Sequence, residues 1–466
     1  MKKMIRVISG TLAGTLALSL AACGSTGSTA ASTSTAASTD SATATSEAAP
    51  AAGGKIVVWT LSNDLKQFAD RYTEKTGTEV EVVVYDSADY VSKVTPSLAG
   101  QSDEVDVFVG EPQMMPNFYE GEFCADLSEL SADANDKLVP YVVQAGTDSD
   151  GTLRALSYQA TPGSVIYRRD IAQKVFGTED PDEIAKKFAS FADIQQTAAD
   201  LKAAGYSIFG DTGALRWFST SDNPWVDADN NIIVDDARDA YFDAAVDLYQ
   251  SEEVANCPEW SAPWYNSMSG PLPVLGADAD VWGLDSDKLD EQVASGAATT
   301  EVFSYVMPSW GALIVRDNAK DNKGKFGVCS GPCSFFGGGT FLAVNEASKN
   351  KETAIDFIKF CTLNEDTAQW WLEASEGDVV SLKSVLEANK DYENASFGNQ
   401  KTYAFYSAEA DKIDYSLITG YDDTCKDAFG AAIVSVQKGE ATKEDAMKTF
   451  YETVTTTYPE LQAPAA

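Results

Sequence analysis

Short apolar runs alternate with helical stripes along the first part of the chain. Residues 56–59, 79–85 and 105–109 have the length and the β-branched or aromatic composition of buried strands. Between them, apolar residues recur every three or four positions over 65–72 and again over 90–98, as on the buried face of a helix. This strand–helix–strand–helix–strand order predicts an α/β fold with a parallel sheet and right-handed crossovers.

Two loops that follow strands of this predicted sheet are candidate ligand contacts. Ligands of parallel sheets bind beyond the carboxyl ends of the strands. These ends carry Trp59 and Asn63 after the first strand, and Glu111 and Gln113 after the third. Asn63 is also expected to cap the first helix, because its side-chain oxygen can accept a hydrogen bond from the helix N-terminus. Gly77 is expected to end that helix.

The stretch 156–171 is predicted to be a strand, a break, a second strand and the start of a helix. Tyr158 favours a strand, and residues 165–167 form a short apolar run. Pro162 and Gly163 interrupt regular structure between them. Two interpretations follow, a crossover between two lobes or a loop inside one α/β domain.

Further elements are predicted later in the chain. Residues 208–210 and 302–306 have strand character, and 235–250 shows a helical stripe. Thr442, with Asp445 three residues on, is expected to cap the last helix.

Composition narrows the classes of function. The chain has 71 acidic and 34 basic residues, a formal net charge of −37. This charge argues against binding to nucleic acid and against docking on anionic lipid, because phosphates are repelled. There is no histidine, which excludes Ser-His-Asp and Cys-His catalysis and histidine-ligated zinc. The triglycine 337–339 lacks the Lys-Ser/Thr of a P-loop, so it is not expected to bind phosphate.

Residues 1–22 have the organisation of a secretory signal. Three basic residues precede an apolar run over 7–22 that is too short and too rich in small residues for a membrane span. The run ends in Leu20-Ala21-Ala22-Cys23, which resembles a bacterial lipobox with diacylglycerol on the Cys23 thiol; a plain secretory signal is the alternative. Residues 23–54 would be the lipidated cysteine and a disordered Ser/Thr/Ala linker. A protein lipid-anchored to the cell membrane, at the cell surface or in the periplasm, is expected.

Six cysteines remain in the folded part. Cys329 and Cys333 are the close pair among them, and the Gly-Pro turn between them could bring the two sulfurs together. A disulfide at this pair is one expectation, and buried thiols are expected elsewhere. A zinc site is not expected, because there is neither a second close pair nor a histidine.

Residues 158–174, with Ile166-Tyr167, Asp170-Ile171 and Lys174 at these spacings, resemble the signature of family 1 extracellular solute-binding proteins. These are receptors of carbohydrate ABC importers, related to maltodextrin-binding protein. Residues 331–344 and 377–381 resemble the second and third hinge crossings of that family, and 417–423 resemble a loop that contributes to its site. The sequence departs from the family at Arg168, where members often have Asn, and at Gly337 or Phe341, where many have Trp.

The resemblance implies an α/β, two-lobe fold of the periplasmic-binding-protein type with three hinge crossings. The crossings are expected near 158–163, 330–336 and 375–380. Lobe 1 would comprise 55–157 and 335–376, and lobe 2 would comprise 158–334 and 377–466.

The resemblance also implies a site in the cleft between the lobes. Its further candidate contacts are Gln159, Thr161, Trp310, Phe336, Gly338, Tyr421 and Asp422. Sugars present apolar faces and ring-plane hydroxyls, which suit aromatic rings and short polar side chains. The implied function is a monomeric receptor that binds a carbohydrate, in first place an oligosaccharide, and delivers it to ABC permease subunits, without catalysis, cofactor or metal. The alternatives are a secreted glycosidase, which needs only two carboxylates, an adhesion lipoprotein, and a receptor for a non-sugar solute such as a polyamine.

Overall fold

The computed structural model describes residues 54–220 and 222–464. The predicted signal peptide, Cys23 and the linker up to residue 53 lie outside the described residues. The strands are β1 (Ile56–Thr60), β2 (Val80–Val84), β3 (Val107–Gly110), β4 (Ala155–Ser157), β5 (Gly163–Arg168), β6 (Leu272–Pro273), β7 (Thr299–Thr300), β8 (Ser304–Pro308), β9 (Phe326–Cys329) and β10 (Phe341–Val344). The helices are α1 (Asp64–Thr76), α2 (Ser87–Ala99), α3 (Met115–Glu120), α4 (Ser131–Lys137), α5 (Pro140–Ala145), α6 (Arg169–Phe176), α7 (Pro181–Ala185), α8 (Phe191–Ala203), α9 (Asp236–Gln250), α10 (Ala262–Ser267), α11 (Ser286–Ala294), α12 (Ser309–Asn318), α13 (Lys351–Thr362), α14 (Glu365–Ala374), α15 (Lys383–Ala388), α16 (Thr402–Ala410), α17 (Asp422–Gln437) and α18 (Lys443–Thr457).

β1, β2 and β3 are parallel, which confirms the prediction, and belong to a five-stranded sheet of order β2-β1-β3-β10-β4. β10 comes from late in the chain and runs antiparallel to β3 and β4. Gly77 ends α1 as predicted, with φ 78° and its N–H donating to the Thr73 oxygen over 2.8 Å. The predicted cap at Asn63 is wrong: its backbone is already helical (φ −72°, ψ −16°), whereas a capping residue is extended. Its side-chain oxygen accepts from Lys66 Nζ instead.

β8, β5 and β9 form a second, antiparallel sheet in that order. Side chains of β5 alternate between two cores, with Ile166 in one and Val165 and Tyr167 in the other. The strand predicted at 208–210 is absent from this sheet. Pairing is limited to an isolated parallel bridge between Ser207 and Val302, and the Gly210 oxygen accepts from the Cys257 N–H of a loop over 2.9 Å instead of from a strand.

Three other predicted elements are present. The strand expected at 302–306 is β8, which begins two residues later. The helix expected at 235–250 is α9. Thr442 caps α18 and accepts from the Asp445 N–H over 3.2 Å.

The chain passes between the two sheets at segments that pair with one another. It leaves the first sheet at Ser157 and enters the second at Gly163, so the Pro-Gly break is a crossover between sheets. Isolated bridges join Gln159 to Val380 and Pro162 to Phe336. Gly163 is required because a Cβ there would lie 2.1 Å from the Phe335 ring.

The cysteines of the described chain are all free thiols. Cys329 lies in β9 with its side chain in the core of the second sheet, while Cys333 lies in the loop beyond it and is partly buried. The expected 329–333 disulfide is therefore wrong: both residues are free thiols, with Cys329 inside this core and Cys333 packed against it. None of the helices in residues 54–220 and 222–464 is long and apolar enough to cross a membrane.

Candidate ligand-binding cleft

A cleft of about 1110 Å³ opens where the crossing segments meet the loops of both sheets. Residues 111–113, which follow β3, line it from the first sheet. Residues of the segments 211–220 and 412–438, together with Asp222, line it from the side of the second sheet, and residues 332–338 line it from the second passage between the sheets. Its volume is slightly above the range of about 300–1,000 Å³ for small-molecule sites.

One wall of the cleft is aromatic. Trp310 is the second residue of α12, and its Nε1–H donates to the Gly337 oxygen over 2.9 Å. Its ring is stacked against that of Trp260, with 6.0 Å between centroids. Trp217 stacks on Phe335 with 5.6 Å between centroids. Its Nε1 is buried and finds no hydrogen-bond partner in the described chain. Flat rings fixed in this way can receive the apolar face of a ligand.

Two glycines let the crossing segment approach these rings. A Cβ at Gly337 would lie 2.2 Å from the Trp217 ring. Gly338 has φ 67°, a conformation that other residues avoid, and its oxygen accepts from Thr161 Oγ1 over 3.3 Å. The run 337–339, which the sequence excludes as a phosphate loop, therefore shapes the wall of the cleft.

The carboxylates of the cleft have different roles. Glu111 Oε2 accepts from Gln113 Nε2 over 2.6 Å. Burial raises the pKa of Glu111, and the nearby Asp423 raises it further. Asp422 is buried and already engaged, since it accepts from the N–H and the hydroxyl of Thr419 at 3.0 and 2.8 Å and pairs with Lys426 at 3.3 Å. Asp422 therefore positions the loop before α17, whereas Glu111 keeps one oxygen without a partner among the described residues.

α17 supplies a face of the cleft that sequence reasoning missed. Asp423, Asp427, Gly430 and Val434 all line the cleft, at intervals of four, three and four residues. These intervals put them on one side of the helix. The same periodicity was readable in the sequence, but two exposed acids and a glycine look like an ordinary solvated surface.

The structure brings six of the predicted contacts into the lining: Glu111, Gln113, Trp310, Phe336, Gly338 and Asp422. The others lie outside it. Trp59 is buried, with 9% of its surface exposed, and its ring packs edge-on against that of Tyr85. Asn63 is exposed and contacts Lys66. Tyr421 packs edge-on against Tyr458. Thr161 is buried behind Gly338.

Gln159, the remaining predicted contact, belongs to a buried network that joins the crossing segments. Its Nε2 donates to Asp378 over 2.7 Å, and its Oε1 accepts from Thr340 Oγ1 over 3.1 Å. Trp371 Nε1 also donates to Asp378, over 2.8 Å. Burial raises the pKa of Asp378 to about 6. Residues 159, 340 and 378 come from three separate passages of the chain, so the network ties all three together.

Asp211 offers a first test of the electrostatics of the lining. Its carboxylate accepts from the Gly213 N–H over 2.9 Å, and burial, with Glu259 adding to it, raises its pKa from 3.8 to about 6. Between these values the folded chain holds a proton that the unfolded chain has lost, so the unfolding free energy falls as the pH rises. Asp211→Asn keeps the accepting oxygen and cannot ionise. We expect it to match the wild type near pH 4 and to be about 1–3 kcal/mol more stable above pH 7.

Denaturant unfolding of both proteins at the two pH values measures this difference. Asp290→Asn is the same substitution at an exposed position of α11. Its unfolding free energy should differ from that of the wild type by the same amount at both pH values. If Asp211→Asn differed from the wild type by the same unfolding free energy at both pH values, the difference would not come from the raised pKa of Asp211.

The fold and the cleft together define a class of protein. Two α/β sheets joined by paired crossing segments, with a ligand-sized cleft beside them, make a two-lobe receptor of the periplasmic-binding-protein type. Residues 67–396, well over half of the chain, match the family model of bacterial extracellular solute-binding proteins. The chain belongs to this family, which confirms the resemblance found in the sequence. The family is one of solute-binding proteins rather than enzymes.

Known proteins similar to this chain agree with that membership. A probable ABC transporter-binding protein of Deinococcus radiodurans is 24% identical over 411 residues, which cover 83% of this chain and 89% of the relative. An extracellular solute-binding protein of family 1 superposes with a TM-score of 0.70 at 16% identity, over 86% of this chain and 99% of its own. The binding protein associated with an ABC transporter of B. animalis subsp. lactis, in complex with β-1,6-galactobiose, superposes with a TM-score of 0.65 at 19% identity. The match covers 89% of this chain and 100% of that protein. These superpositions confirm the predicted two-lobe α/β fold.

Proposed function

We propose that this chain is the receptor of an ABC importer, that it binds a carbohydrate in the cleft, and that it delivers the sugar to a permease. The observation that carries the proposal is the pairing of fixed rings, Trp217 and Trp310, with polar acceptors such as Glu111 in one cleft. Rings receive sugar faces and carboxylates accept from hydroxyls. The galactobiose complex of the B. animalis protein supports the choice of an oligosaccharide.

The proposed mechanism is closure of two lobes about the crossing segments, with no bond made or broken. The hinge crossings near 158–163, 330–336 and 375–380, with lobe 1 at 55–157 and 335–376 and lobe 2 at 158–334 and 377–466, remain our assignment. Ligand would stabilise the closed state through contacts that both lobes make only when closed. Contacts between the segments support it: Gln159 donates to Asp378 over 2.7 Å, and Pro162 forms a bridge with Phe336, so the first segment is held to both of the others.

We also propose that the mature protein is a monomer held to the membrane by lipid on Cys23. The basic start, the short apolar run and the Leu-Ala-Ala-Cys sequence support the lipid anchor. Cys23→Ser would leave the protein in the aqueous fraction after detergent phase separation, whereas the wild type would partition into detergent. Equal partitioning of both would contradict the anchor.

A thermal-shift screen with mono- and oligosaccharides, amino acids and polyamines tests the proposed function. A ligand at 100 times its Kd adds about 2.7 kcal/mol to the unfolding free energy and raises the midpoint. A glycosidase would instead release the chromophore from nitrophenyl glycosides. Stabilisation by no sugar would overturn the carbohydrate proposal, and stabilisation by a polyamine alone would favour the non-sugar receptor.

Trp310→Ala locates the binding wall within the same assay. We expect it to weaken sugar binding about 30-fold, or about 2 kcal/mol, because the ring is lost from the centre of a desolvated contact. Trp370→Ala is the matched control. Trp370 is also half-buried, but it packs on Phe68 and Arg71, away from the cleft. Equal loss in both variants would contradict the role of Trp310.

A further inference from the structure

The basic side chains of the cleft are mostly held by carboxylates. Arg216 pairs with Glu259 at 2.7 Å, and Lys412 pairs with Glu409 at 2.7 Å. Lys426 pairs with Asp422 at 3.3 Å. The three acids are each less than a tenth exposed as side chains, so these ion pairs are anchored from within the protein. Three of the four basic groups of the lining are therefore not free to receive an anionic ligand.

Six of the seven carboxylates of the described lining, all but Asp422, have no such partner. Glu111, Asp423 and Asp427 form no ion pair within 4.0 Å in the part of the chain that the structure describes. Glu111 accepts only from the neutral Gln113. An acidic lining is expected in a chain of net charge −37. The decisive feature is that Asp422 alone of the described lining acids holds a cation, while Glu259 and Glu409, which lie outside the lining, hold Arg216 and Lys412.

Three of the unpaired acids come from opposite sides of the cleft. Glu111 follows β3 of the first sheet, whereas Asp423 and Asp427 lie one turn apart on α17. The Tyr415 hydroxyl donates to the Pro112 oxygen over 3.3 Å, which brings the loop of Glu111 next to the segment that leads into α17. Asp423 is close enough to raise the pKa of Glu111. If the cleft closed on a neutral ligand, these negative charges would face each other with less water between them. Their repulsion would then be stronger, because the local dielectric constant would be lower.

An ammonium group would remove this repulsion. Placed between the acids, it would form charge-assisted hydrogen bonds, which are shorter and stronger than neutral ones. The ring of Trp310 would add attraction to a cation near its face. Trp217 already has the Arg216 guanidinium 4.8 Å from its ring centroid and Phe335 stacked on it. A ligand with a carboxylate or a phosphate would be repelled, because it would add to the unpaired negative charge of the lining.

We propose that the cleft selects a ligand that carries an ammonium group, in first place an oligosaccharide containing an amino sugar. This inference rests on the proposed carbohydrate-receptor function and specifies its substrate class. The shared chemistry, a protonated amine among hydroxyls or methylenes, also occurs in polyamines, which the experiment separates from amino sugars.

Calorimetric titration of the full mature chain with matched pairs of sugars tests the proposal. The members of each pair differ only in carrying an amine or a hydroxyl at C2 of each sugar residue: glucosamine and glucose, galactosamine and galactose, and the β-1,4 trimers of glucosamine and glucose. The titrations are run at mildly acidic pH, where the sugar amines are protonated, with spermidine as the non-sugar amine. In any pair of which at least one sugar binds, we expect the amino sugar to bind at least tenfold tighter than the neutral sugar. This preference should decrease at high salt, because salt screens the attraction between charges.

A double variant, Asp423→Asn with Asp427→Asn, connects the preference to these acids. We expect it to reduce the ratio of amino-sugar to neutral-sugar affinity at least tenfold. Asp290→Asn with Glu291→Gln removes the same charge from α11, outside the lining, and should leave the ratio unchanged.

The outcomes separate the two proposals. Equal or tighter binding of the neutral member in every pair that binds would overturn the ammonium inference and leave the carbohydrate receptor standing. Binding of spermidine without any sugar would support the ammonium inference and overturn the carbohydrate function. Binding of neither sugars nor spermidine would overturn both.

Discussion

Gly430→Trp is expected to abolish ligand binding while leaving the fold intact. Gly430 lies on the face of α17 that lines the cleft, and no atom lies within 4 Å of the place where its Cβ would be. A side chain added here therefore starts without a clash, and we expect an indole to extend into the cleft that Gly430 lines. Since a tryptophan buries 150–250 Å² of surface, we expect a loss of affinity of about a thousandfold or more, about 4 kcal/mol. Titration with the ligand found in the screen measures it.

Two further variants separate occlusion from general damage. Gly270→Trp adds the same side chain at another glycine with open space around it, outside the lining, and should bind normally. Gly430→Ala should retain binding and raise the unfolding free energy by about 0.8–1 kcal/mol, because alanine is a better helix former than glycine. If Gly430→Trp binds as the wild type does, the cleft is not the ligand site.

The sequence predicts the first sheet well because its signal is local. Each strand near 56, 80 and 107 is a short run dominated by β-branched and aromatic residues between helical stripes, and the parallel order follows from crossover connections. The fourth neighbour, β10, joins this sheet from more than two hundred residues away. Its placement came from resemblance to a family, because no local pattern states which distant strand will pair.

The site was harder to predict, and particular residues show why. Trp59 and Gln159 have suitable chemistry at suitable positions in the chain, but one packs beside Tyr85 and the other turns towards Asp378. The sequence predicts where a strand ends. It does not predict in which direction a side chain of the irregular segment that follows will point. Conversely, Asp427 and Trp217 enter the lining because helices and loops of the second sheet are brought there by tertiary packing.

Asp378→Ala is expected to lower the unfolding free energy by about 3 kcal/mol. Asp378 is 1% exposed and accepts from Gln159 Nε2, from Trp371 Nε1 and from the Val379 N–H, the last over 3.0 Å. Alanine would leave these three buried donors unsatisfied, and each such donor costs about 1–3 kcal/mol. Part of that cost is offset, because ionised Asp378 is itself penalised by burial, as its pKa of about 6 shows. Denaturant unfolding at neutral pH measures the change.

Asp106→Ala distinguishes loss of a buried carboxylate from loss of the junction between the crossing segments. Asp106 is 2% exposed and also accepts from three donors, those of Val57, Ser348 and Asn350, but all of these lie around the first sheet. We expect both variants to lose comparable stability. Only Asp378→Ala should also weaken ligand binding, by about tenfold, because the three crossing segments must then be ordered when the cleft closes on its ligand. Unchanged affinity in Asp378→Ala would show that the network holds the fold together without setting the geometry of closure.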